Sequence, residues 1–137
     1  MQAAALERTL TAIDHSRLTR LLLGSTPLAG FDVDRLDDIL RSAQLVPSRQ
    51  VPPDIVTMYT QVLLASPDGR RRTLTVCYPE DAEPARGFVS VLSPVGSALL
   101  GLRVGEHARW RTPLGDDVSG EVAAILFQPE ATGDFTL

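Results

Sequence analysis

Apolar residues near the start of the chain recur with the spacing of an α-helix. Over residues 5–22 the apolar positions lie near one helical face, and they are Leu6, Leu10, Ile13, Leu18, Leu21 and Leu22. Glycine and proline in residues 24–27 predict the end of this helix, because glycine suits a helix C-terminus and proline resists continuation.

A second helix is predicted to begin near Asp32 or Asp34, since either carboxylate can cap free helix amides. Its apolar residues follow the i, i+3, i+4, i+7 pattern, and they are Leu36, Ile39, Leu40 and Ala43. Two helices joined by a short polar turn are typical of an antiparallel hairpin. We therefore predict a helical hairpin arm over residues 1–46.

Three prolines in residues 47–53 interrupt the helical pattern, because proline cannot continue a helix. We place a linker there and a second domain over residues 54–137. The predicted strands of this domain cover residues 55–65, 73–78, 88–92, 107–112 and 120–128.

Turn signals connect these strands. Pro67-Asp68-Gly69 predicts a hairpin turn, and Ser93 followed by Pro94 predicts the start of a short helix that ends at Gly101. The predicted fold class is therefore α+β: a helical arm followed by a mostly antiparallel sheet with one short helix.

Composition narrows the class of protein. A chain of 137 residues with 44% apolar and 22% charged residues is long enough for one globular domain, or a small domain with an appendage. All thirteen cations are arginine, and neither lysine nor asparagine occurs, which indicates a GC-rich, bacterial genome. The net charge of -4, without a basic cluster, disfavours direct sequence-specific binding to nucleic acid. We expect a protein or small-ligand partner instead.

Residues for common catalytic and metal chemistry are scarce. The only histidines are His15 and His107, and the only cysteine, Cys77, is expected to be a buried strand thiol rather than a nucleophile paired with His107. No zinc-ligand spacing occurs, and the glycines at 96 and 101 lack the lysine that a phosphate-binding loop requires. No catalytic residue and no resident metal are predicted.

Charged and aromatic clusters have structural interpretations. Four acids at the hairpin turn and the start of the second helix could hold a divalent ion, although capping and the helix dipole account for them; they are Asp32, Asp34, Asp37 and Asp38. The arginines at 70–72 are expected to be a solvated turn, and Trp110 a core residue between outward-facing arginines.

The location follows from what the sequence lacks. A single cysteine cannot form an internal disulfide, and no basic segment followed by a long apolar stretch opens the chain. The early leucine run at residues 21–23 is far shorter than the roughly 20 residues needed to cross a bilayer. We expect a cytoplasmic protein without a membrane span.

Several strings together carry a family resemblance. They are Val56-Thr57-Met58, Leu74-Thr75-Val76 running to Tyr78-Pro79, SVLSPVGSALLGL at 90–102, and QPEATGD at 128–134. The chain resembles the Rnk-type regulators of nucleoside diphosphate kinase, which are related to the Gre-type transcript cleavage and elongation factors. The match covers essentially the whole chain. It departs at Tyr59-Thr60, where the family usually has Asn-Ser, and at Leu114, where a glycine is common.

The resemblance implies a short two-helix coiled coil followed by a domain of the FK506-binding-protein (FKBP) shape, which binds RNA polymerase core near its secondary channel. In Gre-type factors the segment that matches Ser93 and Pro94 lies in the region that docks on the polymerase. These two residues are therefore the expected polymerase contacts. Gre-type factors often have an acid before that serine, whereas this chain has Leu92.

Gre-type transcript cleavage also needs acids at the tip of a long hairpin to hold magnesium. The predicted first helix, of ~17 residues, reaches only roughly 25 Å, and the turn at 24–31 contains no acid before Asp32 and Asp34. We therefore expect a non-enzymatic, cofactor-free regulator whose effect on nucleoside diphosphate kinase is indirect. The alternative is a cleavage factor that uses Asp32 and Asp34 as magnesium ligands.

A peptidyl-prolyl isomerase is a further alternative, because the FKBP shape hosts that activity in other proteins. Such a site needs an apolar pocket lined with aromatic residues, and fold alone does not supply one. The aromatic residues of the second domain are Tyr59, Tyr78, Phe88, Trp110, Phe127 and Phe135. The core requires several of them. We expect a monomer, because the short arm can cover its apolar stripe within the hairpin.

Overall fold

The N-terminal part of the chain contains two short helices between two short strands. A computed structural model describes residues 8–24 and 33–134. Strand β1 (Thr9–Thr11) leads directly into helix α1 (Ala12–Leu23), and helix α2 (Val33–Ser42) is followed by strand β2 (Gln44–Val46). The two strands pair in parallel, so the two ends of the helical segment meet.

Strand β1 corrects the predicted helix over residues 5–22, which begins only at Ala12 in the described residues. All three residues of β1 are buried and pair with β2, and this pairing over a long sequence separation is invisible to helical periodicity. Thr11 then ends the extended segment, because its Oγ1 accepts a hydrogen bond from the amide of Asp14 and caps α1. The predicted apolar face changes too: Leu18 is buried, whereas Ile13 is 39% exposed.

A five-stranded sheet forms the second part of the molecule. Its strands are β3 (Gln61–Ala65), β4 (Arg71–Cys77), β5 (Phe88–Ser90), β6 (His107–Arg111) and β7 (Asp117–Phe127). They lie in the order β5-β4-β3-β7-β6, and every neighbouring pair is antiparallel except β4 and β5. Helix α3 (Pro94–Leu99) follows β5. Short 3-10 helices occupy Ser48–Gln50, Pro79–Asp81, Pro84–Arg86 and Glu130–Thr132.

The strand predicted from residue 55 begins only at Gln61, because a tight turn precedes it. The amide of Thr60 donates to the carbonyl of Thr57, and the Thr60 hydroxyl accepts the Thr57 amide. Between them Tyr59 has a φ of 65°, in the left-handed region that asparagine tolerates better than an aromatic residue. The asparagine that the family resemblance leads us to expect at this position would adopt this conformation with less strain than Tyr59.

One hydrophobic core joins the helices to the sheet. Leu10, Leu18 and Leu36 from the N-terminal part are buried in the same cluster as Val62 and Val122 from the sheet. Burying a leucine or valine side chain contributes about 1.5–3 kcal/mol. The N-terminal part is therefore packed on the sheet rather than held at a distance from it.

The predicted α+β class is confirmed, with helices and a curled sheet in one mixed fold. The more detailed predictions of a coiled coil and an FKBP shape stay predictions. In the part of the chain that the structure describes, no helix is long and apolar enough to cross a membrane.

Candidate functional site

The segment from the last residue of β5 to the first turn of α3, which we name the Ser-Pro loop (residues 90–96), contains the predicted contact residues. Ser93 caps α3: its Oγ accepts a hydrogen bond from the amide of Gly96 at 3.1 Å and donates one to the carbonyl of Ser90 at 2.6 Å. Pro94 occupies the first turn of the helix, where its missing N–H costs nothing. The predicted cap and helix start are thus confirmed.

Gly96 is required at its position because α3 begins in contact with the end of β5. A Cβ added there would lie 2.0 Å from the carbonyl oxygen of Ser90, a separation at which two backbone segments must move apart. The glycine thus permits close packing of α3 against the end of β5, as predicted.

Two further serines complete the hydrogen bonding of the loop. The hydroxyl of Ser97 donates to the carbonyls of Ser93 and Pro94, at 3.1 and 3.2 Å, and the hydroxyl of Ser90 accepts the amide of Leu92 at 3.0 Å. Ser93 and Pro94 are partly exposed, while Leu92 is buried. The loop therefore presents a fixed surface to solvent, and the position that precedes the serine belongs to the core.

Carboxylates lie next to the strand end from which the loop starts. Glu80 and Asp81 are exposed in a 3-10 helix that follows β4, and the end of β4 pairs with the end of β5. Burial, then Asp81 and Glu80, raise the pKa of the Cys77 thiol to about 11. The hydroxyl of Tyr59 donates to Asp81, and burial together with this hydrogen bond raises the pKa of Tyr59. A negative region thus adjoins the Ser-Pro loop.

The arm-tip acids are only partly described. Asp32 lies outside the described residues, and Asp34 is exposed in the first turn of α2. Asp37 forms an ion pair with Arg41 at 2.9 Å, one turn later in the same helix. Within residues 8–24 and 33–134, no group of three or more histidine, cysteine or acidic side chains is arranged to hold a metal ion.

Cys77 and His107 are far apart in the sheet. Cys77 is a buried free thiol in β4, and His107 is exposed in β6. Strands β3 and β7 lie between them, which separates the two by three strand spacings, or about 14 Å. The buried-thiol interpretation of Cys77 is confirmed. Trp110 is likewise buried, between the exposed Arg109 and Arg111.

A buried carboxylate lies between α1 and the sheet, and no pattern in the sequence indicates it. Asp14 is 3% exposed and accepts a hydrogen bond from the amide of Met58 at 3.2 Å. Burial, followed by the negative charge of Glu130, raises the pKa of Asp14 to about 6 against the effects of its hydrogen bonds and Arg17. Glu130 itself accepts a hydrogen bond from the hydroxyl of Thr57 at 2.7 Å. The hydrogen bond between Asp14 and Met58 thus links α1 to the loop before β3.

Known proteins are similar to this chain in sequence and in fold. A family described as "Transcription elongation factor, GreA/GreB, C-term" matches residues 51–127, a range that includes the whole Ser-Pro loop. A regulator of nucleoside diphosphate kinase from Escherichia coli is 39% identical over 119 residues, which cover 85% of this chain and 88% of that protein.

Two Gre-type proteins are also similar. Transcription elongation factor GreA from Geobacillus kaustophilus is 32% identical over 85 residues, which cover 61% of this chain and 54% of that protein. The solved structure of a prokaryotic transcription elongation factor GreA/GreB from Nitrosomonas europaea superposes with a TM-score of 0.74 at 30% identity. That superposition covers 90% of this chain and 100% of the other.

Proposed function

The chain belongs to the Rnk-type regulators of nucleoside diphosphate kinase and carries a GreA/GreB C-terminal domain, and we propose that it is a transcription regulator that binds RNA polymerase core near the secondary channel without cleaving RNA. Binding is assigned to the domain over residues 54–137, with an FKBP-like shape, and the helices of residues 1–46 form its short arm. Ser93 and Pro94 are the proposed polymerase contacts.

The Ser-Pro loop is the observation that carries this proposal. Ser93 and Pro94 are partly exposed while their backbone is tied by hydrogen bonds on both sides. A contact surface that is ordered before binding loses little conformational entropy when the partner arrives. A surface that served only to fill the core would instead be buried.

The neighbouring carboxylates indicate the chemistry of the partner surface. Glu80 and Asp81 are exposed beside the strand end that leads into the loop. Opposite charges across an interface raise the association rate and orient the two partners, and salt weakens this electrostatic attraction. We therefore expect a basic polymerase surface and an association rate that falls with ionic strength.

Binding to purified RNA polymerase core tests the proposal. The chain should bind saturably and be displaced by a Gre-type cleavage factor. Pro94→Ala should weaken binding by about tenfold, equivalent to about 1.4 kcal/mol, while Pro67→Ala, a matched change in the exposed turn between β3 and β4, should leave it unchanged. Absence of saturable binding at micromolar concentrations, or equal loss in both variants, contradicts the proposal.

The arm argues for binding without cleavage. Helix α1 contains 12 residues, so at 1.5 Å per residue it is about 18 Å long, shorter than the predicted helix. In backtracked transcription complexes we expect no shortening of the RNA, with a Gre-type cleavage factor as the positive control. Cleavage that is lost in the double variant Asp32→Ala and Asp34→Ala would instead establish the magnesium-dependent alternative.

A further inference from the structure

Arg8 reaches from the start of β1 to the far end of α3. Its Nη1 donates hydrogen bonds to the carbonyls of Ser97 and Leu100, at 2.7 and 2.9 Å. The last carbonyls of a helix have no partner within the helix, and an arginine side chain can satisfy them. The guanidinium of Arg8 therefore caps the C-terminal end of α3, although 89 positions separate Arg8 from Ser97.

The backbone of β1 touches the same end of the helix. The amide of Thr9 donates to the carbonyl of Gly101 at 3.1 Å. Gly101 has a φ of +81°, and a Cβ there would lie 3.0 Å from the Cβ of Arg8. Strand β1 thus packs directly against the turn after α3, and no residue larger than glycine fits at position 101.

Ser97 connects this contact to the Ser-Pro loop. Its carbonyl accepts from Arg8, while its hydroxyl donates to the carbonyls of Ser93 and Pro94. Ser97 is fully buried, so these groups have no water to exchange for protein partners. A path through one residue therefore joins Arg8 to the two proposed contact residues.

Arg8 stays charged although most of its surroundings disfavour the charge. Burial and the nearby Arg35 lower the pKa of Arg8 to about 10, and Glu106 acts in the opposite direction. The guanidinium remains charged at neutral pH, and hydrogen bonds from a charged donor are stronger than neutral ones.

We propose that Arg8 is a positioning residue for the Ser-Pro loop. It holds the C-terminal end of α3, so that Ser93 and Pro94 at the N-terminal end keep their binding geometry. This inference rests on the proposed function, since it assigns a role to Arg8 in the same polymerase contact. Replacing Arg8 leaves the carbonyls of Ser97 and Leu100 without this donor and removes the side-chain link between the start of β1 and the end of α3, so that among the described residues only the backbone hydrogen bond from Thr9 to Gly101 still joins them. The loop then has to be ordered when the partner binds, which weakens binding.

The variant Arg8→Met tests this role, because methionine keeps the apolar stem and removes the donors. We expect it to bind polymerase core about tenfold more weakly, equivalent to about 1.4 kcal/mol, and to show faster hydrogen exchange at the amides of Gly96 and Ser97. The matched control is Arg109→Met, which removes the same charge from an exposed position in β6. It should change neither quantity.

A double variant separates positioning from direct contact. If Arg8 acts through the loop, adding Arg8→Met to Pro94→Ala should weaken binding by much less than the product of the two single effects. Three results would each overturn the inference. The affinity losses of Arg8→Met and Pro94→Ala multiply fully in the double variant, Arg8→Met binds with unchanged affinity, or Arg8→Met binds more weakly without faster hydrogen exchange at Gly96 and Ser97.

Failure of the proposed function and failure of the variant to fold can each be distinguished from failure of this inference. If the parent chain does not bind polymerase, the proposed function fails, and the exchange rates of Gly96 and Ser97 alone decide whether Arg8 orders the loop. If Arg8→Met does not fold, Ser97→Ala replaces it, since alanine removes the hydroxyl link and leaves the Ser97 carbonyl for Arg8. Unchanged affinity and exchange in Ser97→Ala would then refute the path.

Discussion

The buried carboxylate of Asp14 makes the stability of the protein depend on pH. Asp14 is 3% exposed, and its principal hydrogen-bond donor is the backbone amide of Met58. The substitution Asp14→Asn keeps an acceptor oxygen for that amide and keeps the backbone N–H that donates to Thr11. It removes the negative charge, which is close to that of Glu130.

The size of the effect follows from the pKa of Asp14, which rises from 3.8 to about 6 on folding. A difference of about 2 pKa units corresponds to roughly 3 kcal/mol. Because the folded chain holds this proton more tightly than the unfolded chain, its contribution to stability is complete below pH ~4 and is lost as pH rises through about 6. Asparagine remains neutral throughout. We therefore expect Asp14→Asn to be more stable at pH 7.5 by about 2 kcal/mol, after the extra amide donor offsets part of the gain.

Urea unfolding at several pH values between 4 and 8 measures this difference. The single tryptophan, Trp110, is buried in β6 and reports unfolding by its fluorescence. Subtracting the free energies of the two proteins at each pH cancels the titration of groups that they share. The matched control is Asp38→Asn, an exposed position on α2, which should change stability by less than about 0.5 kcal/mol.

The reasoning would be refuted by a difference between Asp14→Asn and the parent that is the same at pH 4 and pH 7.5. It would also be refuted if Asp14→Asn were the less stable protein at pH 7.5. In that case the ionised carboxylate of Asp14 would stabilise the fold through Arg17 and the Met58 amide more than burial destabilises it.

Two further substitutions test the packing around the site and the core. In a thermal unfolding assay, Gly96→Ala should lower the free energy of unfolding by at least about 2 kcal/mol, because the added Cβ meets the Ser90 carbonyl. The control Gly24→Ala should be tolerated, because the nearest neighbour of an added Cβ there is 3.8 Å away. Leu18→Ala should cost about 2–5 kcal/mol because the side chain is fully buried. Leu23→Ala, at a position that is 84% exposed, should cost less than about 0.5 kcal/mol in urea unfolding; equal costs would contradict the assigned core.

Elements with local signals could be predicted from the sequence. The buried face of α2 follows helical spacing, Gly69 has the positive φ that its turn requires, and Ser93 caps α3. In each case the residue acts on neighbours within four positions. Local chemistry therefore determines the structure there.

Features that depend on distant partners could not be predicted. Thr9–Thr11 continues a helical pattern in sequence but pairs with Gln44–Val46, which follows α2. A local exception is Tyr59: its turn is made by the neighbouring Thr57 and Thr60, but an aromatic residue does not indicate a left-handed conformation, because aromatic residues rarely adopt one. The same difference holds in the candidate site: the cap of Ser93 is local, whereas Arg8 and Ser97 are 89 positions apart in the sequence.

The parallel pairing of β1 with β2 has a topological consequence for how this chain can change. β1 precedes α1 and β2 follows α2, and the two strands pair with each other. The pairing therefore holds together the two ends of the chain segment at residues 12–43. Lengthening such a loop is thermodynamically cheap, since doubling its length costs only about 0.6 kcal/mol in closure entropy. Insertions of whole helical turns in both helices would extend the segment while its attachment to the sheet stayed the same. The length of the helical segment can thus change while the proposed docking surface stays the same.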